Sequence, residues 1–92
     1  MAYAVIQMRR FVRQYKKLND KTAKEVDDVV VQIASKPSIG EKKKGDLSKL
    51  WVFKFKSNNQ LYLLGYSIND GLRIVYLDSI GPHENFYRDI KR

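Results

Sequence analysis

There is no cysteine anywhere in this 92-residue chain. No disulfide can form, and no thiolate can hold a metal. Histidine is almost as scarce, with a single copy at His83. One imidazole and no thiol leave a metal only carboxylates to bind, and these form no dense cluster, so neither a metal nor another cofactor is expected. Proline occurs twice, and no repeat, low-complexity tract or linker interrupts the pattern. No apolar run approaches the roughly 18 residues of a membrane span, and no signal-peptide core opens the chain. The absences together point to a reducing, cytoplasmic setting and away from a membrane.

Acid is also in short supply. Eighteen Lys and Arg face ten Asp and Glu, a formal charge of +8, with an isoelectric point near 9.8. So basic a small domain is an electrostatic match for polyanions: RNA, DNA, an acidic membrane surface or an acidic protein. The rest of the composition, 43% hydrophobic and 30% charged, is ordinary for a globular protein. Ninety-two residues suit one domain, 1–92, around a single core.

The periodicity changes once along the chain. "MAYAVIQ" is β-prone around Tyr3, Val5 and Ile6. Met8, Phe11, Tyr15 and Leu18 then recur at helical spacing, with basic residues covering the other faces. Asn19-Asp20 breaks that helix and caps the next, in which Ala23, Val26, Val30, Ile33 and Ala34 share a face until Pro37. After an irregular stretch, "KPSIGEKKKGDLSKL", the period becomes two. Trp51, Phe53 and Phe55 alternate with Val52, Lys54 and Lys56. "NN" at 58–59 and "NDG" at 69–71 mark turns around the apolar strand "QLYLLGYSI", which reads as covered on both faces. "LRIVYLDSI" is the last long strand, and "HENFYRDIKR" follows Gly81-Pro82 as a terminal helix or helical turn. The expected architecture is α+β: a two-helix hairpin packed on a small antiparallel meander, with the lysine-bearing face open to a ligand.

Three groups of residues carry possible chemistry. His83 either caps a turn or acts as a general acid or base, since histidine titrates near neutrality. Tyr87 lies one helical turn later and Arg88 adds a cation, a set suited to phosphodiester cleavage. Lys42, Lys43 and Lys44 are either a solvated loop or a phosphate clamp, helped by Gly40 and Gly45, whose amides can approach an anion. Lys54 and Lys56 project from one strand face about 7 Å apart, with Arg73 expected at the corresponding point of the last strand. Trp51, Phe53 and Phe55 read as core, whereas Tyr62, Tyr66 and Tyr76 can serve either the core or base stacking.

Four stretches, "FVRQYKKL", "KPSIGEKKKGDLSKLWVFKF", "QLYLLGYSINDGLRIVYLDSIG" and "GPHENFYRDIKR", occur in an order and spacing that resembles the RelE/ParE superfamily of bacterial toxin–antitoxin toxins over essentially the whole chain. The resemblance implies a RelE-like fold and a cognate antitoxin that neutralises the toxin in a hetero-oligomer. It implies one of two activities. RelE-like members are metal-independent, ribosome-dependent endoribonucleases that cut mRNA by attack of the ribose 2′-hydroxyl on its neighbouring phosphate. ParE-like members inhibit DNA gyrase without cleaving nucleic acid. It also implies His83 and Tyr87 as acid–base groups, with Lys42 to Lys44, Lys54 and Arg88 as phosphate contacts. One departure stands out: where many members carry an arginine in the middle strand, this chain reads Gln60-Leu61-Tyr62-Leu63-Leu64. Arg73, Lys54 or Lys56 would have to supply the missing cation.

Overall fold

The computed structural model describes residues 2–45 and 49–90, with side chains up to Tyr87. The chain begins with strand β1 (Ala4–Gln7) and helix α1 (Arg9–Tyr15). Asn19 then accepts a hydrogen bond from the Thr22 amide at 2.9 Å and starts helix α2 (Asp20–Ser35), as its side chain predicts. Pro37 opens one 3-10 turn, Pro37–Ile39. Strands β2 (Glu41–Lys42), β3 (Trp51–Ser57), β4 (Gln60–Asn69) and β5 (Ile74–Pro82) follow, and helix α3 (His83–Ile90) closes the fold. Among the described residues no helix is long and apolar enough to cross a membrane.

The strands form one sheet in the order β1-β5-β4-β3-β2. The expected meander is its centre. Asn58 and Asn59 both take positive φ, 52° and 62°, as a tight two-residue hairpin requires. The meander is flanked by two edges that the periodicity did not resolve. β1 pairs parallel with β5, Ala4 against Ile74 through Gln7 against Leu77, and the two-residue β2 pairs antiparallel with β3.

Strand alternation separates two cores. Leu64, Tyr66, Val75, Leu77 and Ile80 meet Phe11, Val26, Val29 and Ile33 of the helical hairpin, with Trp51, Phe53 and Phe55 packed at the margin. On the opposite face Leu50, Val52 and Leu63 enclose Phe86 of α3. Leu63 and Leu64 are therefore both fully buried, which explains the continuous apolar run of β4. The face expected to stay open is thus half covered by the terminal helix.

Of the three tyrosines left open, Tyr62 and Tyr66 are buried and Tyr76 is half-buried. Tyr66 ties the sheet to the loop after α2: its hydroxyl donates to the Pro37 carbonyl at 2.6 Å and accepts from the Gly40 amide at 3.0 Å. Gly40 was expected to offer its amide to an anion; that amide is spent on Tyr66 instead.

Candidate active site

α3 starts directly after Pro82 and folds back over the sheet. Phe86 is its anchor, 3% exposed among Leu50, Val52 and Leu63; burying a phenylalanine is worth about 1.5–3 kcal/mol. With Phe86 pinned, the helix turn sets His83 and Tyr87 on a common side. Their ring centroids lie 6.4 Å apart, edge to face at 86°, and Tyr87 also meets Phe86 edge to face at 5.1 Å.

The third member comes from the loop after β2. The Lys43 amide donates to the Leu50 carbonyl at 2.9 Å, which extends the β2–β3 pairing by one residue. Alternation then places Glu41 and Lys43 on the same face. Lys43 Nζ donates to Glu41 Oε1 at 2.7 Å and stands 5.5 Å from the centroid of the Tyr87 ring. The Glu41 carboxylate, and after it the Tyr87 phenol, hold the Lys43 ammonium above the usual lysine range. Glu41 is held below the usual carboxylate range by Lys43 first and then by the field of Lys54. Lys54 therefore belongs to the same electrostatic group.

Between them the sheet is covered at Leu63, which is fully buried beneath Phe86, and open at Gly81. Lys54 pairs with Leu63, and Leu63 with Gly81; a Cβ on Gly81 would meet nothing within 4 Å. An imidazole, a phenol, one fixed ammonium and one strand ammonium stand together at the rim of this opening. That inventory can move protons and hold an anion, which is the requirement of phosphate-ester chemistry.

The expected residues divide accordingly. His83, Tyr87, Lys43 and Lys54 come together, and Lys56 continues the same face two residues along β3, exposed. Lys42 pairs with Trp51 and lines a different groove with Lys49, Asn69 and Asp70, so alternation splits the lysine run. Lys44 is exposed beyond the strand. Arg88 follows Tyr87 in α3, and its side chain lies outside the described residues. Arg73 does not join the group. It sits in the turn before β5 with φ 55°, and its guanidinium stacks 4.5 Å from the Tyr3 ring centroid. β5 carries the chain about 23 Å onward before it reaches Gly81, at 3.3 Å per residue. The expectation failed because the turn 70–73 consumes Arg73, so β5 starts at Ile74.

Two contributors went unseen in the sequence. Glu41 was signalled only by its i, i+2 relation to Lys43, which matters once the segment is known to be extended. Phe86 read as one more apolar residue in a short amphipathic tail.

The chain matches, over residues 5–91, the family described as ParE-like toxin of type II bacterial toxin-antitoxin system. No curated protein sequence matches it. Among solved structures it is similar to the free toxin RelE of E. coli, in an alanine double mutant, at 23% identity and TM-score 0.76, covering 100% of this chain and 98% of that one. It is similar to the RelBE2 toxin–antitoxin complex of Mycobacterium tuberculosis at 18% identity and TM-score 0.80, covering 90% and 100%. It is also similar to the intact E. coli RelBE complex at 22% identity and TM-score 0.73, covering 87% and 95%. At these identities the likeness is one of fold.

Proposed function

Because the chain belongs to the ParE-like toxins of type II bacterial toxin–antitoxin systems, we propose that it stops growth as a ribosome-dependent, metal-independent mRNA endoribonuclease, held inactive by a cognate antitoxin in a hetero-oligomer. The observation that carries this reading is the placement of Lys43 against Tyr87, one helical turn from His83. A protein that only binds its target has no need of a proton carrier, a phenol and a fixed cation side by side.

In the proposed reaction the 2′-oxygen of the mRNA ribose bonds to the adjacent phosphorus and the bond from phosphorus to the 5′-oxygen breaks. The products are a 2′,3′-cyclic phosphate and a 5′-hydroxyl end. His83 takes the proton of the 2′-hydroxyl and Tyr87 gives its own to the departing 5′-oxygen. Lys43 then balances the phenolate formed beside it, and Lys54 holds a non-bridging phosphate oxygen, where the missing middle-strand arginine would otherwise act. Water restores both groups.

The test is cleavage mapping of cellular mRNA after brief induction. In-frame, ribosome-dependent cuts are expected from the wild type. His83→Ala and Tyr87→Phe are expected to lower cleavage by about 10²–10⁴-fold each. If both variants cut as well as the wild type, the mechanism is wrong. One observation favours a second reading. The β4 residues on the face that α3 half covers are Leu61, Leu63 and Gly65, with no cation among them. Intact mRNA together with arrested DNA supercoiling would therefore identify a gyrase inhibitor.

A further inference from the structure

Helix α1 carries positive charge that its packing does not use. Phe11 turns into the core and is 2% exposed. At 3.6 residues per turn, Arg9, Arg13 and Lys16 fall together on the opposite side of the helix, along about 10 Å of its length. Lys16 still has helical angles, φ −62° and ψ −21°. All three side chains are exposed, and none forms an ion pair with a described residue.

Folding does not call for this stripe. Arg9 and Arg13 stand at the i, i+4 spacing at which like charges repel. The first turn holds Arg9 and Arg10 and no carboxylate, although the helix dipole disfavours cations at that end. On the neighbouring helix α2, Asp27 accepts from the Tyr15 hydroxyl at 2.7 Å. The helix beneath the stripe is nonetheless firmly seated. The Met8 amide donates to the Leu77 carbonyl at 2.9 Å, and the Ile80 amide donates to Gln14 Oε1 at 2.8 Å. Arg9, Arg13 and Lys16 are thus a row of cations on a fixed rod. The rod packs on the sheet face opposite the one that α3 covers, so the row points away from His83, Tyr87 and Lys54.

We propose that this face of α1 docks the protein on double-stranded RNA, at a surface separate from the one that holds the strand to be cut. The argument is charge complementarity of a particular kind. Exposed cations contact phosphates and position a protein without reading sequence, and duplex RNA is recognised mainly by its backbone and shape. A single strand is instead gripped on aromatic platforms. The stripe has none, because Phe11 is buried and Tyr15 is half-buried with its hydroxyl engaged. The choice of RNA over DNA rests on the endoribonuclease reading, in which cleavage depends on the structured RNA of a ribosome.

The test is binding of a short labelled RNA duplex to the full chain at several salt concentrations. The wild type is compared with the triple variant Arg9→Gln, Arg13→Gln, Lys16→Gln. The variant should lose about 2–3 from the slope of log affinity against log salt, one phosphate per cation, and bind roughly tenfold or more weakly at about 0.1 M salt. It should bind oligouridylate as the wild type does, and saturating oligouridylate should not displace the duplex. Its melting temperature should hold, since only repulsion is removed. Should it melt early, Arg9→Gln and Arg13→Gln alone, each about 0.9 of slope, decide the same question. An unchanged slope, an equal loss of oligouridylate binding, displacement of the duplex by oligouridylate, or tighter binding of a DNA duplex of the same sequence would overturn the proposal. Cleavage in induced cells separates the two readings. A wild type that binds the duplex through α1 but cuts no mRNA sinks the nuclease reading alone. Undiminished cleavage by the triple variant would overturn the docking role alone.

Discussion

A Cβ placed on Gly65 would stand 2.9 Å from Cζ of Phe86, so the helix that carries His83 and Tyr87 rests on bare backbone. Ser79 Oγ, at 2.9 Å, and Leu50 Cδ1, at 3.1 Å, close the remaining room around that position. Gly65→Ala should therefore lift Phe86 from its niche. Overpacking of this kind costs about 1–3 kcal/mol, a fall of roughly 4–8 °C in melting temperature per kcal/mol for a domain of this size. Cleavage activity should drop further than stability does, because the displaced helix takes both proton carriers with it. Adding Phe86→Leu should restore part of the activity of Gly65→Ala, as expected for residues in contact. An unchanged melting curve with full activity in Gly65→Ala would show that Phe86 does not seat the helix.

Glu41 competes with any phosphate for Lys43. Its carboxyl is held below the ordinary 4.5 by Lys43 and Lys54, so its negative charge persists above that value and is lost only as the pH falls through the lowered one. Binding of a short oligouridylate, whose bases do not titrate in acid, should therefore tighten as the pH drops below 4.5. Glu41→Gln should bind more tightly at neutral pH and lose that acid rise. Lys43→Met should weaken binding at every pH. Fluorescence anisotropy across the range checks all three, and parallel curves for wild type and Glu41→Gln would refute the competition.

Tyr66 holds the lysine loop through Pro37 and Gly40. Tyr66→Phe leaves a carbonyl and an amide without their partner, at a cost of about 1–3 kcal/mol. The same residue sets an alkaline limit. Burial pushes its hydroxyl above the usual 10.0, although the Gly40 amide pulls the other way. A raised folded-state value means that its contribution is complete below pH 10 and is lost as the pH climbs through the folded value. The wild type should thus lose stability above pH 10 more steeply than Tyr66→Phe does in denaturant titrations. Tyr3 and Tyr15 are also raised, by their bonds to Asp70 and Asp27. Both hydroxyls are exposed, so they should contribute little to the slope.

What the sequence could convey depended on range. The Asn19 cap, the Asn58-Asn59 turn and the two-faced burial of β4 are written in neighbouring residues, and all were legible. The parallel pairing of β1 with β5 joins residues about seventy apart and has no local signature. The site followed the same rule. His83 and Tyr87 share one helical turn, and their juxtaposition could be read directly. Lys43 could be separated from Lys42 only once the segment was known to be a strand, because alternation sends neighbours to opposite faces. Arg73 misled because a one-residue uncertainty at the hairpin decides whether it is strand or turn.

The strand lysines and Arg73 make the sharpest contrast between an expected and an observed cation. Lys54 and Lys56 lie on the face that holds Lys43 and Tyr87, whereas Arg73 is engaged with Tyr3 at the far end of β5. If the RNA backbone follows β3, each of Lys54→Ala and Lys56→Ala should lower affinity and reduce the slope of log affinity against log salt by about 0.7–1, one phosphate contact each. Arg73→Ala should leave that slope and the cleavage rate unchanged. Its cost should be confined to stability, about 0.5–1 kcal/mol for an exposed cation–π pair. Binding to a single-stranded oligonucleotide at three or four salt concentrations separates the cases. A slope that falls for Arg73→Ala and not for Lys54→Ala would move the RNA path to the opposite end of the sheet. It would also remove the phosphate contact on which the role of Lys54 depends.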